Sequence, residues 1–267
     1  MLPLVILQGP AKSGKDTVAN FMVKDGGFVA VAQADPMKQL AKLVFGFSDE
    51  QLWGESRDLK ERIDDRYKTL EAWGRAELRL NSGAVSDWLK KVLPEYPPEN
   101  SGGALYTWFL NLRDTNPNGV SPRVMLQTLG TQWGRSFSLN MWSDLAIRTA
   151  KDLLMTPNLG YSRDCGTFLG KVPVPTPAGV VITDGRFRNE IINVKATGGI
   201  AIRIDNPEQA EPSSVGIVGH ASETEMFSIP AHFFDLIVTN DKTQGLTALR
   251  EKVQTLIAQF KYVTVVP

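Results

Sequence analysis

Gly9-Pro10-Ala11-Lys12-Ser13-Gly14-Lys15 follows the spacing G-x-x-x-x-G-K, and its flanks give that spacing its weight. Leu4 to Leu7 before it is a short aliphatic run that stops at Gly9, the pattern of a strand buried on both faces. After it, Val18, Ala19, Phe21, Met22 and Val23 recur at helical spacing. A loop of this composition between strand and helix is a phosphate cradle. Glycines let successive backbone N–H groups turn toward one point, the helix N-terminus adds its positive end, and Lys15 adds a mobile charge. The expected nucleotide contacts are Gly9, Lys12, Ser13, Gly14, Lys15, Asp16 and Thr17. Asp16 stands where a Ser or Thr usually ligates Mg2+. A carboxylate there could serve the ion as well, or could simply complement the helix dipole, and the sequence leaves both roles open.

Outward from this loop, strands and helices alternate. Phe28 to Ala32, Gly179 to Asp184, Gly199 to Ile204 and Asp235 to Thr239 read as further strands, with helices over 36–46 and 244–260. That rhythm predicts a parallel α/β sheet with right-handed crossovers. Residues 48–178 interrupt it. The stretch 49–93 is charged and helical in period, Pro94 to Gly103 is loop-like, 122–154 is helical again, and 156–179 is an irregular connection with room for a hairpin. The division expected is a core of 1–47 and 179–267 around an inserted, mainly helical lobe, 48–178, that binds substrate.

Composition narrows the function. The 267 residues are 42% hydrophobic and 22% charged, ordinary values for a globular chain. Lys plus Arg equals Asp plus Glu at 29 each, so no global field favours nucleic acid or an acidic membrane. One cysteine and two histidines exclude an intramolecular disulfide and argue against a zinc cluster. No apolar run reaches the ~20 residues of a membrane span, and the start lacks the basic region of a signal peptide. A cytoplasmic protein is expected.

Thirteen to nineteen reads Ser13-Gly14-Lys15-Asp16-Thr17-Val18-Ala19, which resembles the phage-type deoxynucleoside monophosphate kinases. Similar stretches follow in family order. They are Ala34-Asp35-Pro36-Met37-Lys38, Phe45-Gly46-Phe47-Ser48, Gln51-Leu52-Trp53-Gly54, Leu126-Gln127-Thr128-Leu129-Gly130-Thr131, Thr183-Asp184-Gly185-Arg186, His220-Ala221-Ser222-Glu223 and Thr239-Asn240-Asp241. The resemblance spans nearly the whole chain. It implies a P-loop kinase with a five-stranded parallel sheet flanked by helices, a monophosphate-binding lobe and a small lid. It also implies transfer of the γ-phosphoryl group of Mg-ATP to a deoxynucleoside monophosphate, in the host cytoplasm if the chain is of phage origin; the residues alone leave open a P-loop kinase of another small acceptor, of coenzyme-A precursor or phosphomevalonate type, or a nucleotide-binding switch without kinase activity. The partners are then small nucleotides, and a homodimer stays open.

Site roles follow from position. Asp184, ending a buried strand, is placed as the acid that holds Mg2+ with Asp16. Arg186, matching the family's arginine two positions on, and Arg135 from the lobe join Lys15 on the transferring group; Arg188 stands where many relatives carry proline. Lys38, at the second strand–helix junction, should face the acceptor phosphate, with Asp35 as an N-cap. Arg123, Gln127, Thr131 and Trp142 should bind the acceptor, Gln127 at a base edge and Trp142 as a stacking face. The other tryptophans, Trp53 among them, are assigned to packing. Residues 205–222 carry no Lys or Arg, although the lid of this fold commonly supplies arginine. Asn240 lies where the fold grips the ATP base, and His220 in the lid.

Overall fold

The computed structural model describes residues 3–10, 12–94, 98–207 and 221–263. Five parallel strands form the main sheet: β1 (Leu4–Gln8), β2 (Phe28–Val31), β5 (Gly179–Gly185), β6 (Ile200–Asp205) and β7 (Leu236–Thr239), in the order β2-β5-β1-β6-β7. Two antiparallel strands, β3 (Leu159–Ser162) and β4 (Thr167–Lys171), form a separate hairpin. The helices are α1 (Lys15–Gly26), α2 (Asp35–Phe45), α3 (Asp49–Leu52), α4 (Arg57–Glu61), α5 (Leu70–Leu80), α6 (Gly83–Val92) and α7 (Pro98–Thr115). They continue as α8 (Pro122–Thr128), α9 (Arg135–Phe137), α10 (Met141–Met155), α11 (Arg188–Ala196), α12 (Ala221–Ser228) and α13 (Gly245–Val263), with a π-turn at Leu129–Gly134.

Period-two alternation sends each strand's apolar residues into two cores. Val5, Leu7, Val181, Ile202 and Ile204 pack with α1 and α13 on one face. Leu4, Ile6, Val180, Ile182 and Ala201 pack with α10 and α11 on the other. A third core fills the lobe around Phe45, Trp73, Trp108, Phe109 and Trp133. The boundaries between cores run through helices. Leu40, Ala41, Val44 and Phe45 of α2 belong to the lobe's core, whereas Ala146, Ile147, Ala150 and Leu153 of α10 belong to the sheet's. Lobe and sheet therefore share two helices.

The loop expected through Gly103 is helical from Pro98 onward. The segment is held by packing: the Ser101 carbonyl accepts the Trp133 indole N–H at 3.2 Å, and Gly102 faces Leu89. Tertiary contact overrides the low helix propensity of Gly102-Gly103 there.

The sheet order places β1 between β5 and β6, which the chain reaches in opposite directions. Its C-terminal end is the point where the strand order reverses, the usual ligand crevice of an open α/β sheet.

Candidate active site

The 9–15 loop lies at that end. Gly9 and Gly14 hold φ of +154° and +103°, and Lys12 between them holds +66°, the left-handed turns that aim backbone N–H groups inward. At Gly9 a Cβ would lie 2.4 Å from the Ile204 carbonyl oxygen, so only glycine fits. Ser13 is fully buried. Lys15 Nζ donates to the carbonyl oxygens of Gly9 at 2.6 Å and Pro10 at 2.8 Å, which holds its charge over the loop. Thr17 is half-buried in the first turn of α1, and Asp16 beside it is exposed.

Asn240 does not reach outward for a base. It is buried, and its Nδ2 donates to the Ser13 carbonyl at 2.8 Å. A Cβ on Gly14 would lie 2.3 Å from that amide. Asn240 is a clamp behind the phosphate loop, because the end of β7 runs directly against its backbone.

Asp184 accepts two backbone N–H groups, from Gln33 at 2.8 Å and Ala34 at 3.0 Å. It fixes the turn from β2 into α2 as well as ending β5. Burial raises its pKa, against those two donors and the charge of Arg186. A second buried acid escaped the sequence reading. Glu190 accepts the N–H groups of Arg186 at 2.7 Å and Phe187 at 3.0 Å, shaping the loop that presents Arg186. Burial pushes its pKa up to about 7, and the nearby Asp184 adds to the shift. Arg135 lies over the Phe187 ring, 3.8 Å from its centre, and both terminal nitrogens reach Asn189 Oδ1 at 3.3 Å. The lobe's arginine is thus anchored to the loop that follows Asp184.

At the second junction Asp35 is not an N-cap; Ala34 holds that position. Asp35 is buried, and its oxygens accept from Trp53 Nε1 at 2.9 Å, Tyr161 OH at 2.7 Å and the Ala32 N–H at 3.0 Å. Lys38 lies 3.7 Å from Asp35 Oδ1 and 5.4 Å from the Trp53 ring centre. Trp53 therefore bonds the acid of the second junction as well as packing.

The lobe redistributes the expected acceptor contacts. Trp142 is buried, donates to the Gly130 carbonyl at 2.9 Å and packs against Trp133. No ring face is left for a base, a correction that follows from the π-turn. Its i→i+5 geometry brings Gly130 and Gly134 onto the indole, where a Cβ on Gly134 would lie 2.3 Å from Trp142 Cζ2. Thr131 Oγ1 donates to the Gln127 carbonyl at 2.7 Å, and the Gln127 side chain is buried. Arg123 faces Glu61 at 3.7 Å, and Arg57 Nε bonds the same carboxylate at 2.5 Å.

Lys60, next to Glu61, carries the signal that spacing could not. It is half-buried and, among the described residues, has no ion pair. Burial and the charge of Lys38 lower its pKa, against the carboxylates of Asp16, Glu50 and Glu55. His220 and residues 208–219 lie outside the described residues.

A phosphate loop at the strand-order reversal, an acid ending the neighbouring strand and a helical lobe facing both define a P-loop kinase fold. No family profile matches the chain. A protein of Acanthamoeba polyphaga mimivirus named "Putative deoxynucleotide monophosphate kinase" is 30% identical over 240 residues, covering 90% of this chain and 89% of that one. The chain belongs to this nucleotide kinase family.

Proposed function

We propose that the protein transfers the γ-phosphoryl group of ATP to a deoxynucleoside 5′-monophosphate, forming the diphosphate. The observation that carries this is two cationic strand–helix junctions held side by side. Lys15 caps the loop after β1, Lys38 stands beside Asp35 at the turn after β2, and Asp184 of β5, the strand between them, accepts the N–H groups of that second turn. Two phosphate-bearing ligands in line need that arrangement. The name of the mimivirus relative supports the acceptor class.

Lys15 and the loop backbone hold the donor, and Lys38 and Lys60 hold the acceptor phosphate. Arg186, presented by the Glu190-braced loop, meets the charge on the transferring group, with Arg135 fixed beside it. The acceptor's phosphate oxygen is already a nucleophile, so orientation and electrostatics carry the rate and no phosphoenzyme forms. Mg2+ would be held by Asp16 and Asp184, hard oxygen donors, with the Asp184 oxygens also accepting the Gln33 and Ala34 N–H groups. Among the described residues no three acids, histidines or cysteines gather into an ion site of their own, so an ion here would complete its shell with phosphate oxygens and water. When bound, it would neutralise phosphate charge.

The test is ADP release with each of the four common deoxynucleoside monophosphates and their ribose counterparts, with a Lys15→Ala control. Turnover with at least one deoxynucleotide, lowered roughly 10²–10³-fold in the variant, is expected. Turnover with none of the panel would reject the acceptor, and full turnover in the variant would reject the phosphate loop.

A further inference from the structure

The β3–β4 hairpin contributes little to any core, for every residue of β4 is exposed. Its turn is nevertheless fastened to the functional loops. Tyr161 OH donates to Asp35 at 2.7 Å, and the Gln39 side-chain amide donates to the Gly166 carbonyl. Gly166 has φ +59°, and a Cβ there would lie 2.6 Å from Asp35 Cβ. Between these anchors the turn presents Arg163 to α1. Its Nη1 donates to Asn20 Oδ1 at 2.6 Å, and its Nη2 lies 3.6 Å from Asp16 Oδ1. Asp16 directly follows the loop lysine, and Asn20 is one helical turn further along the same face. An arginine from a distant part of the chain thus stands at the mouth of the phosphate loop.

The Asp16 contact is loose, with the two side chains 43% and 83% exposed. Such pairs contribute at most about 1 kcal/mol and exchange readily. Guanidinium against phosphate is the stronger match, because two parallel charge-assisted bonds form at once. The segment after β6 offers no competing cation, since residues 205–222 contain neither Lys nor Arg.

We propose that Arg163 is a ligand of the donor's phosphates: when ATP fills the loop, its guanidinium leaves Asp16 for phosphate oxygens while the hairpin stays anchored at Asp35 and Gln39. This rests on reading the loop as the ATP site. The measurement is direct titration of the full chain with Mg-ATP, without acceptor, alongside thermal melting. Arg163→Ala should bind about tenfold more weakly with an unchanged melting temperature, and Arg163→Lys should recover part of the loss. Asn20→Ala, which frees the guanidinium without removing it, should bind at least as tightly as the unaltered protein. Equal affinity in Arg163→Ala overturns the proposal. So does an equally large loss in Asn20→Ala, which would make the contact a structural tie. An unaltered protein that binds no ATP overturns the donor reading itself, and the proposal with it.

Discussion

Two ionisable side chains at the site lead to opposite experiments. Lys60 is a cation held near another cation, and removing it should relieve repulsion while depriving the acceptor of a partner. Lys60→Ala should therefore lower kcat/KM about 10- to 100-fold, equally for all accepted monophosphates, because each presents the same phosphate. Arg123→Ala should cost less, since Glu61 already engages Arg123. The reverse ranking in acceptor titrations would return the phosphate role to Arg123. Glu190 is an acid with a folded pKa near 7, raised from an ordinary 4.5. The raised value means the folded state holds its proton more tightly than the unfolded chain. Its contribution is complete below about pH 4.5 and is lost as pH rises through 7, on the order of 3 kcal/mol. Melting temperatures across that window should show Glu190→Gln gaining on the unaltered protein as pH rises. A constant difference would mean that Glu190 is ionised throughout.

Among the elements, the π-turn at Leu129–Gly134 and helix α5 put the same substitution in contrasting surroundings. At Gly134 a methyl group would press on the buried Trp142 ring, which has no room to retreat. Gly134→Ala should destabilise by about 1–3 kcal/mol through overpacking. At Gly74, inside α5, nothing lies within 4 Å of an added Cβ, and Gly74→Ala should stabilise by roughly 0.5–1 kcal/mol by limiting the unfolded chain. Thermal or denaturant melts of the two variants should move in opposite directions. Two shifts of the same sign would show that the turn can relax around Trp142.

Across the whole molecule, Asp35 joins parts that no single core unites. Its carboxylate takes donors from the β2 turn, from Trp53 at the lobe's edge and from Tyr161 in the hairpin. Burial raises the Tyr161 pKa first, and the Asp35 charge second, so this hydroxyl stays a donor. Asn at this position would turn an NH2 group toward one of three donors. Asp35→Asn should cost about 2–4 kcal/mol, and amide exchange should quicken in residues 159–171 and 49–53 while β1 and β5 remain protected. Uniform quickening would indicate global destabilisation and no hub.

The glycine turns of the 9–15 loop, the five core strands, the α/β class and the place of Asp184 at the end of a buried strand were legible in the residues themselves. Each rests on local information: glycines where φ turns positive, aliphatic runs bounded by turns, an acid closing a strand. Sequence alone could not divide labour within the lobe, because that depends on which side chains meet across long separations. Trp142 and Gln127 are buried by a π-turn whose period no pattern in the chain announces. Trp53 reaches the site only because α2 and α3 bring it to Asp35. Lys60 is marked by burial and by the charge of Lys38, which both lower its pKa, and Arg163 by a hairpin folded back onto α1. Charge pairing and burial are properties of the assembled surface, so only the tertiary structure decided which cations are paired with carboxylates and which helix each one packs against.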